Sequence, residues 1–127
     1  MNRILLLAQL VVIVVLAVFH LTALEFYLYW HFVWLDIVTH ALGGMWIGIL
    51  VLMIRAWLGY TPSIVWGVFG AIVLGGLWEV FDAFVGVPWG ANDALDTSID
   101  LLMDAVGGAF GALFAQNVLK RQVPKLE

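Results

Sequence analysis

Residues 75–108 read GGLWEVFDAFVGVPWGANDALDTSIDLLMDAVGG, and their reading decides the fold. Glu79, Asp82, Asp93, Asp96, Asp100 and Asp104 stand among leucines, valines, phenylalanines and tryptophans, between the pairs Gly75-Gly76 and Gly107-Gly108. An ionisable side chain in hydrocarbon is costly and persists mainly where it lines a polar interior. The stretch therefore predicts two membrane helices that share a polar site. A turn at Gly86-Val87-Pro88-Trp89-Gly90 joins them, and Asn92 or Asp93 is placed to cap the second.

The rest of the chain agrees. With 65% hydrophobic residues, 11% charged residues and a mean hydropathy of +1.08, there is too little polar surface for a water-soluble globule. A hydrocarbon core of ~30 Å asks for about 20 apolar residues per helix. Four segments meet that need, at about 4–24, 35–57, 64–85 and 94–119. The expected fold is all-α: one domain, residues 1–127, with four transmembrane helices in an antiparallel bundle. The first segment exceeds the ~7 to 15 apolar residues of a signal peptide, so it is read as a spanning helix. Tyr27, Tyr29, Trp30 and Trp34 follow it as an interfacial aromatic belt. Gly59-Tyr60-Thr61-Pro62-Ser63 forms a turn, with Ser63 placed as a cap. Without cysteine, disulfides, thiolate metal sites and Cys nucleophiles are excluded.

Charge orients the bundle. Basic residues gather on the cytoplasmic side of membrane proteins, and Arg3, Arg55, Lys120, Arg121 and Lys125 all fall there if both termini are cytoplasmic. Glu25, Asp36 and the acids of the opening stretch then fall toward the other side. No nucleic-acid partner is expected; the bilayer is the first partner.

On a helix, residues at i, i+3, i+4 and i+7 share a face. This spacing groups Asp36, His40, Gly43 and Gly44 on the second segment. It groups Gly75, Gly76, Glu79 and Asp82 on the third, and Asp100, Asp104, Gly107, Gly108 and Gly111 on the fourth. Small residues let membrane helices approach closely, so a glycine floor is expected beneath an acidic, outward-facing cup. At 1.5 Å rise per residue, Glu79 and His40 lie roughly 9 Å below the helix ends. Asp93 and Asp96 are expected at the rim, and Trp78 and Trp89 as walls. Two carboxylates ~4 Å apart at an effective dielectric of 20 repel by about 4 kcal/mol. Such a cup needs protons or a cation.

Asp36, His40, Glu79, Asp82, Asp96, Asp100 and Asp104 are the candidate metal ligands. Oxygen donors with an imidazole suit Mg2+, Mn2+ or Ca2+, and His40 admits Zn2+ or Fe2+. Glu79 or His40 is the candidate general base. Asp36 and Asp93 also suit helix caps, and Asp96 a solvated first-turn acid. His20 and His31 read as interfacial residues.

Asp36-x3-His40, Glu79 with a polar residue three on, and Asp100-x3-Asp104-x2-Gly107 with Gly111 resemble the VanZ-like and YjdF-like families of small bacterial membrane proteins. The resemblance covers segments two to four. Ile37, Asp82 and Asp104 stand where the VanZ pattern has Lys, an amide and Asn, and its loop Arg is absent, so this cup is more acidic. The resemblance implies a multi-pass protein of the bacterial cytoplasmic (inner) membrane, in a family associated with low-level glycopeptide resistance and no established chemistry. Glu79-x2-Asp82 and Asp100-x3-Asp104 are also similar to the metal-binding spacing of CDP-alcohol phosphotransferases. Ala83, Gly86 and Val87 stand in place of that family's Gly, Ala and Arg, so the spacing reads as convergent geometry.

The functional expectation is a metal-dependent hydrolase or transferase acting on a lipid-linked substrate at the outer leaflet. The alternatives are a non-enzymatic module that binds or transports a cation or lipid, with a homo-oligomer completing a through-route, and a structural partner subunit.

Overall fold

The computed structural model describes residues 2–85 and 94–121. The turn at 86–90, Trp89, the Asn92/Asp93 cap, Asp93 at the rim and the basic Lys125 lie outside the described residues. The chain is all-α, with α1 at Arg3–Glu25, α2 at Leu28–His31, α3 at Trp34–Trp57, α4 at Ile64–Val85 and α5 at Ala94–Lys120. The four long helices are each long and apolar enough to cross a membrane, and the protein is a multi-pass membrane protein. They match the expected segments to within one residue at each end.

Helix α2 was not expected. Tyr27 takes a left-handed conformation, φ 54° and ψ 32°, and turns the chain back after α1. Tyr29 is thereby 2% exposed and packs with Ala23 and Leu35, so it is a core residue and not part of an interfacial belt. Tyr27, Trp30 and Trp34 do remain exposed.

Consecutive long helices run antiparallel, as expected, but the closest packing joins two parallel ones. A methyl group added to Gly44 would strike the Asp104 backbone, one on Gly48 the Gly108 carbonyl, one on Gly107 the Ala41 carbonyl, and one on Gly111 the Met45 carbonyl. Helices α3 and α5 thus touch backbone to backbone, in ascending register. Helix α4 joins them through Gly67, Ala71 and Gly75, which face Ala112, Gly108 and Asp104. Helix α1 packs on the outside of α3, where Leu5 meets the cluster of Ile49, Leu52, Ala112 and Ala115 and Gln9 Nε2 donates to the Trp46 carbonyl at 2.9 Å.

The glycine floor is therefore real but has a different period. Gly43 faces open space and Gly76 only touches Leu101 at 3.8 Å. The packing residues recur every four positions: Gly44 and Gly48; Gly67, Ala71 and Gly75; Gly107 and Gly111; Gly108 and Ala112. Small residues at that spacing form a continuous stripe on a helix. The result is a seam along the bundle, and of the three adjacent pairs Gly107-Gly108 alone packs closely with both members.

Candidate functional site

The seam stops where the polar residues begin. Gly75 leaves a socket that the Asp104 carboxylate fills; an added methyl group would collide with Asp104 Oδ2. From that socket Oδ2 lies 3.1 Å from His40 Nδ1. With Asp104 as the acceptor, Nδ1 carries the proton and the ring is held with Nε2 facing the other way. There Nε2 is 3.4 Å from Glu79 Oε1 and 3.9 Å from Asp36 Oδ1. His40 and Asp104 are buried, at 7% and 3% exposure.

Supporting bonds reach the candidate ligand carboxylates from two helices. Thr97 Oγ1 of α5 donates to Glu79 Oε2 at 3.0 Å. Thr39 Oγ1 lies 2.7 Å from the Asp36 carbonyl and 3.3 Å from Asp36 Oδ1. Asp100 is 2% exposed, and one ligand atom each from Asp36, His40 and Asp100 all lie within 4.8 Å of one another. Three helices that are distant in sequence thus contribute to one centre.

The donor set fits a divalent ion. Two donors bonded to one ion at about 2.1 Å stand roughly 3 Å apart; the edges from His40 Nε2 to Glu79 and Asp36, at 3.4 and 3.9 Å, are longer and would have to draw in around an ion. An Asp–His–Asp group of this kind, with His40 and Asp100 buried and Asp36 partly so, could hold a metal ion. Histidine ligands ordinarily donate their second N–H to a carboxylate, and Asp104 occupies that position.

Of the residues singled out in the sequence, Asp36, His40, Glu79, Asp100 and Asp104 come together, with Asp104 behind the imidazole. Asp82 and Asp96 stand at electrostatic range of the cluster, and Asp36, Glu79 and Asp104 lie within ion-pair distance of His40. Trp78 is half exposed, packs edge-on to His20 with ring centroids 6.4 Å apart and hydrogen-bonds the Asp82 side chain, so it stands between α1 and the acidic cluster. His31 is exposed and bonds the Tyr27 carbonyl at 3.0 Å, in keeping with an interfacial role. His20 is not simply interfacial: its Nδ1 is hydrogen-bonded to Tyr29 Oη at 2.7 Å. Thr39, Thr97 and Tyr29 were not legible as site residues; the only hint was that Thr97 lies three residues before Asp100.

The described bases collect at the opposite end. Arg55 stacks on Tyr60 and Trp66 and donates to the Thr61 carbonyl at 3.2 Å. Lys120 Nζ donates to Gln116, whose Nε2 donates to the Pro62 carbonyl at 2.8 Å. No protein-family model, curated protein or solved structure matches the chain.

Proposed function

We propose that this protein is a divalent-cation-binding membrane protein of VanZ-like character that performs metal-dependent hydrolysis or group transfer on a lipid-linked phosphate. The observation that carries the reading is the orientation of His40: Asp104 holds Nδ1, and Nε2 points at Glu79 and Asp36 beside Asp100. His40, Asp36, Glu79 and Asp100 would hold the ion, with Mg2+, Mn2+ or Ca2+ favoured by the oxygen-rich set and Zn2+ or Fe2+ admitted by the imidazole. A bound divalent ion supplies Lewis acidity toward phosphoryl oxygens. The protein's own part is to orient the donors and, through Glu79, to accept a proton. The segregation of bases from acids supports cytoplasmic termini and a centre in the outer half of a bacterial cytoplasmic membrane.

A second reading has its own observation. Arg55, Lys120 and Arg121 lie at the far end from the centre, so no guanidinium or ammonium among the described residues is placed to hold a phosphate there. That favours a centre that binds or passes a cation without chemistry. Incubating purified protein with short-chain lipid-linked pyrophosphates and Mg2+ or Mn2+ separates the two. Phosphate release that is lost on chelation and in Glu79→Gln supports the enzyme; metal binding without release from any such lipid supports the cation-binding module.

A further inference from the structure

The cation centre leaves a second, partly buried histidine unused. His20 of α1 meets Tyr29 of α2 at 2.7 Å between Nδ1 and Oη, with ring centroids 5.7 Å apart. Tyr29 is among the largest fully buried side chains although it belongs to a four-residue helix. The left-handed backbone at Tyr27 makes this burial possible. Such a conformation in a residue with a side chain is strained and persists only where surrounding contacts hold it.

The Tyr29 hydroxyl also meets the Thr39 side chain. Thr39 Oγ1 in turn shares its one proton between the Asp36 backbone carbonyl at 2.7 Å and Asp36 Oδ1 at 3.3 Å, and that Oδ1 is the oxygen 3.9 Å from His40 Nε2. A polar chain therefore runs from His20 through Tyr29 and Thr39 to an oxygen that faces the centre. Asp36 needs such a tether more than its neighbours do. Its side chain is 32% exposed, against 12% for Glu79 and 4% for Asp104, and an exposed carboxylate is otherwise free to turn to water.

Resting on the cation-binding reading above, we infer that Tyr29, braced by His20 and acting through Thr39, is a positioning residue that holds the Asp36 carboxylate toward His40 and so sets the affinity for the ion. Partners of this kind, one layer behind the ligands, are worth 10- to 100-fold in metal affinity. A merely space-filling tyrosine would contribute packing alone, and phenylalanine would replace it.

The test is a Mn2+ titration of the purified full chain, followed by the loss of the free-ion electron paramagnetic resonance signal. Tyr29→Phe keeps the ring and is expected to weaken Mn2+ about 10-fold. Thr39→Ser is expected to retain affinity and Thr39→Val to lose it. Tyr60→Phe, at the opposite end of the bundle, should change nothing. In an Asp36→Asn background, Tyr29→Phe should have no further effect, because coupled residues are non-additive. Unchanged affinity in Tyr29→Phe, or an equal loss in both backgrounds, overturns the inference and leaves the cation centre standing. A wild-type protein with no specific Mn2+ binding overturns the cation centre, and this inference with it.

Discussion

At the residue scale, His40 is the pivot, and its orientation comes from a glycine. Gly75 makes the room in which Asp104 sits, and Asp104 fixes the imidazole. Asp104→Asn keeps a carbonyl able to accept from Nδ1, whereas Asp104→Leu removes the acceptor and leaves a buried N–H unpaired. The asparagine variant should therefore bind Mn2+ more tightly than the leucine variant, both falling below wild type by up to about 100-fold, as read by titration. Equal binding by wild type and the leucine variant would show that Asp104 does not orient the ligand. Helical spacing put His40 on one face of α3, Glu79 on one face of α4 and Asp100 with Asp104 on one face of α5, and the cost of charge in hydrocarbon argued that the three faces share one polar interior. Neither could find Thr97 behind Glu79 or Thr39 and Tyr29 beside Asp36. Hydroxyl residues carry no signal until the docking of helices brings them to a partner.

At the scale of elements, the bundle is held by a seam of small residues with a period of four. The sequence shows adjacent glycines at 43–44 and 75–76 and invites their reading as pairs. Adjacent residues on a helix point about 100° apart, so only one of each pair can face a given neighbour. Gly44 and Gly75 do so, while Gly43 and Gly76 do not make close contacts. Gly44→Ala should consequently destabilise by about 1–3 kcal/mol through overpacking against the Asp104 backbone. Gly43→Ala should be neutral or stabilise by up to about 1 kcal/mol, since alanine is the better helix former. Unfolding in graded mixtures of mild detergent and dodecyl sulfate measures both, and a reversed order would contradict the packing described. Helix α2 escaped the sequence reading for a related reason. A four-residue helix is too short for periodicity, and its defining feature is the backbone of Tyr27.

At the scale of the whole molecule, charge and chemistry occupy opposite ends. The acids and His40 cluster at one end of the bundle, and Arg55 and Lys120 gather around the turn between α3 and α4. That division was legible from the order of charges along four spans, because each span inverts the side on which the next connection emerges. Which helices lie side by side was not legible: the parallel pair α3 and α5 has no short connection to announce it, and its glycines have to be seen in contact. The chain has no cysteine of its own, so single introduced cysteines report orientation. Glu25→Cys should react with a membrane-impermeant maleimide from outside intact cells, and Tyr60→Cys only after permeabilisation. The reverse pattern would invert the protein in its membrane without altering the fold.

The central claim is that the buried carboxylates and His40 form one cation site, and the metal content of the purified protein tests it most directly. Elemental mass spectrometry after gentle extraction and equilibration with Mn2+ should find one tightly held ion per chain, lost in His40→Ala and in Asp100→Ala while Gly43→Ala keeps it. A wild-type protein with no retained ion, or variants that retain as much as wild type, would contradict the account.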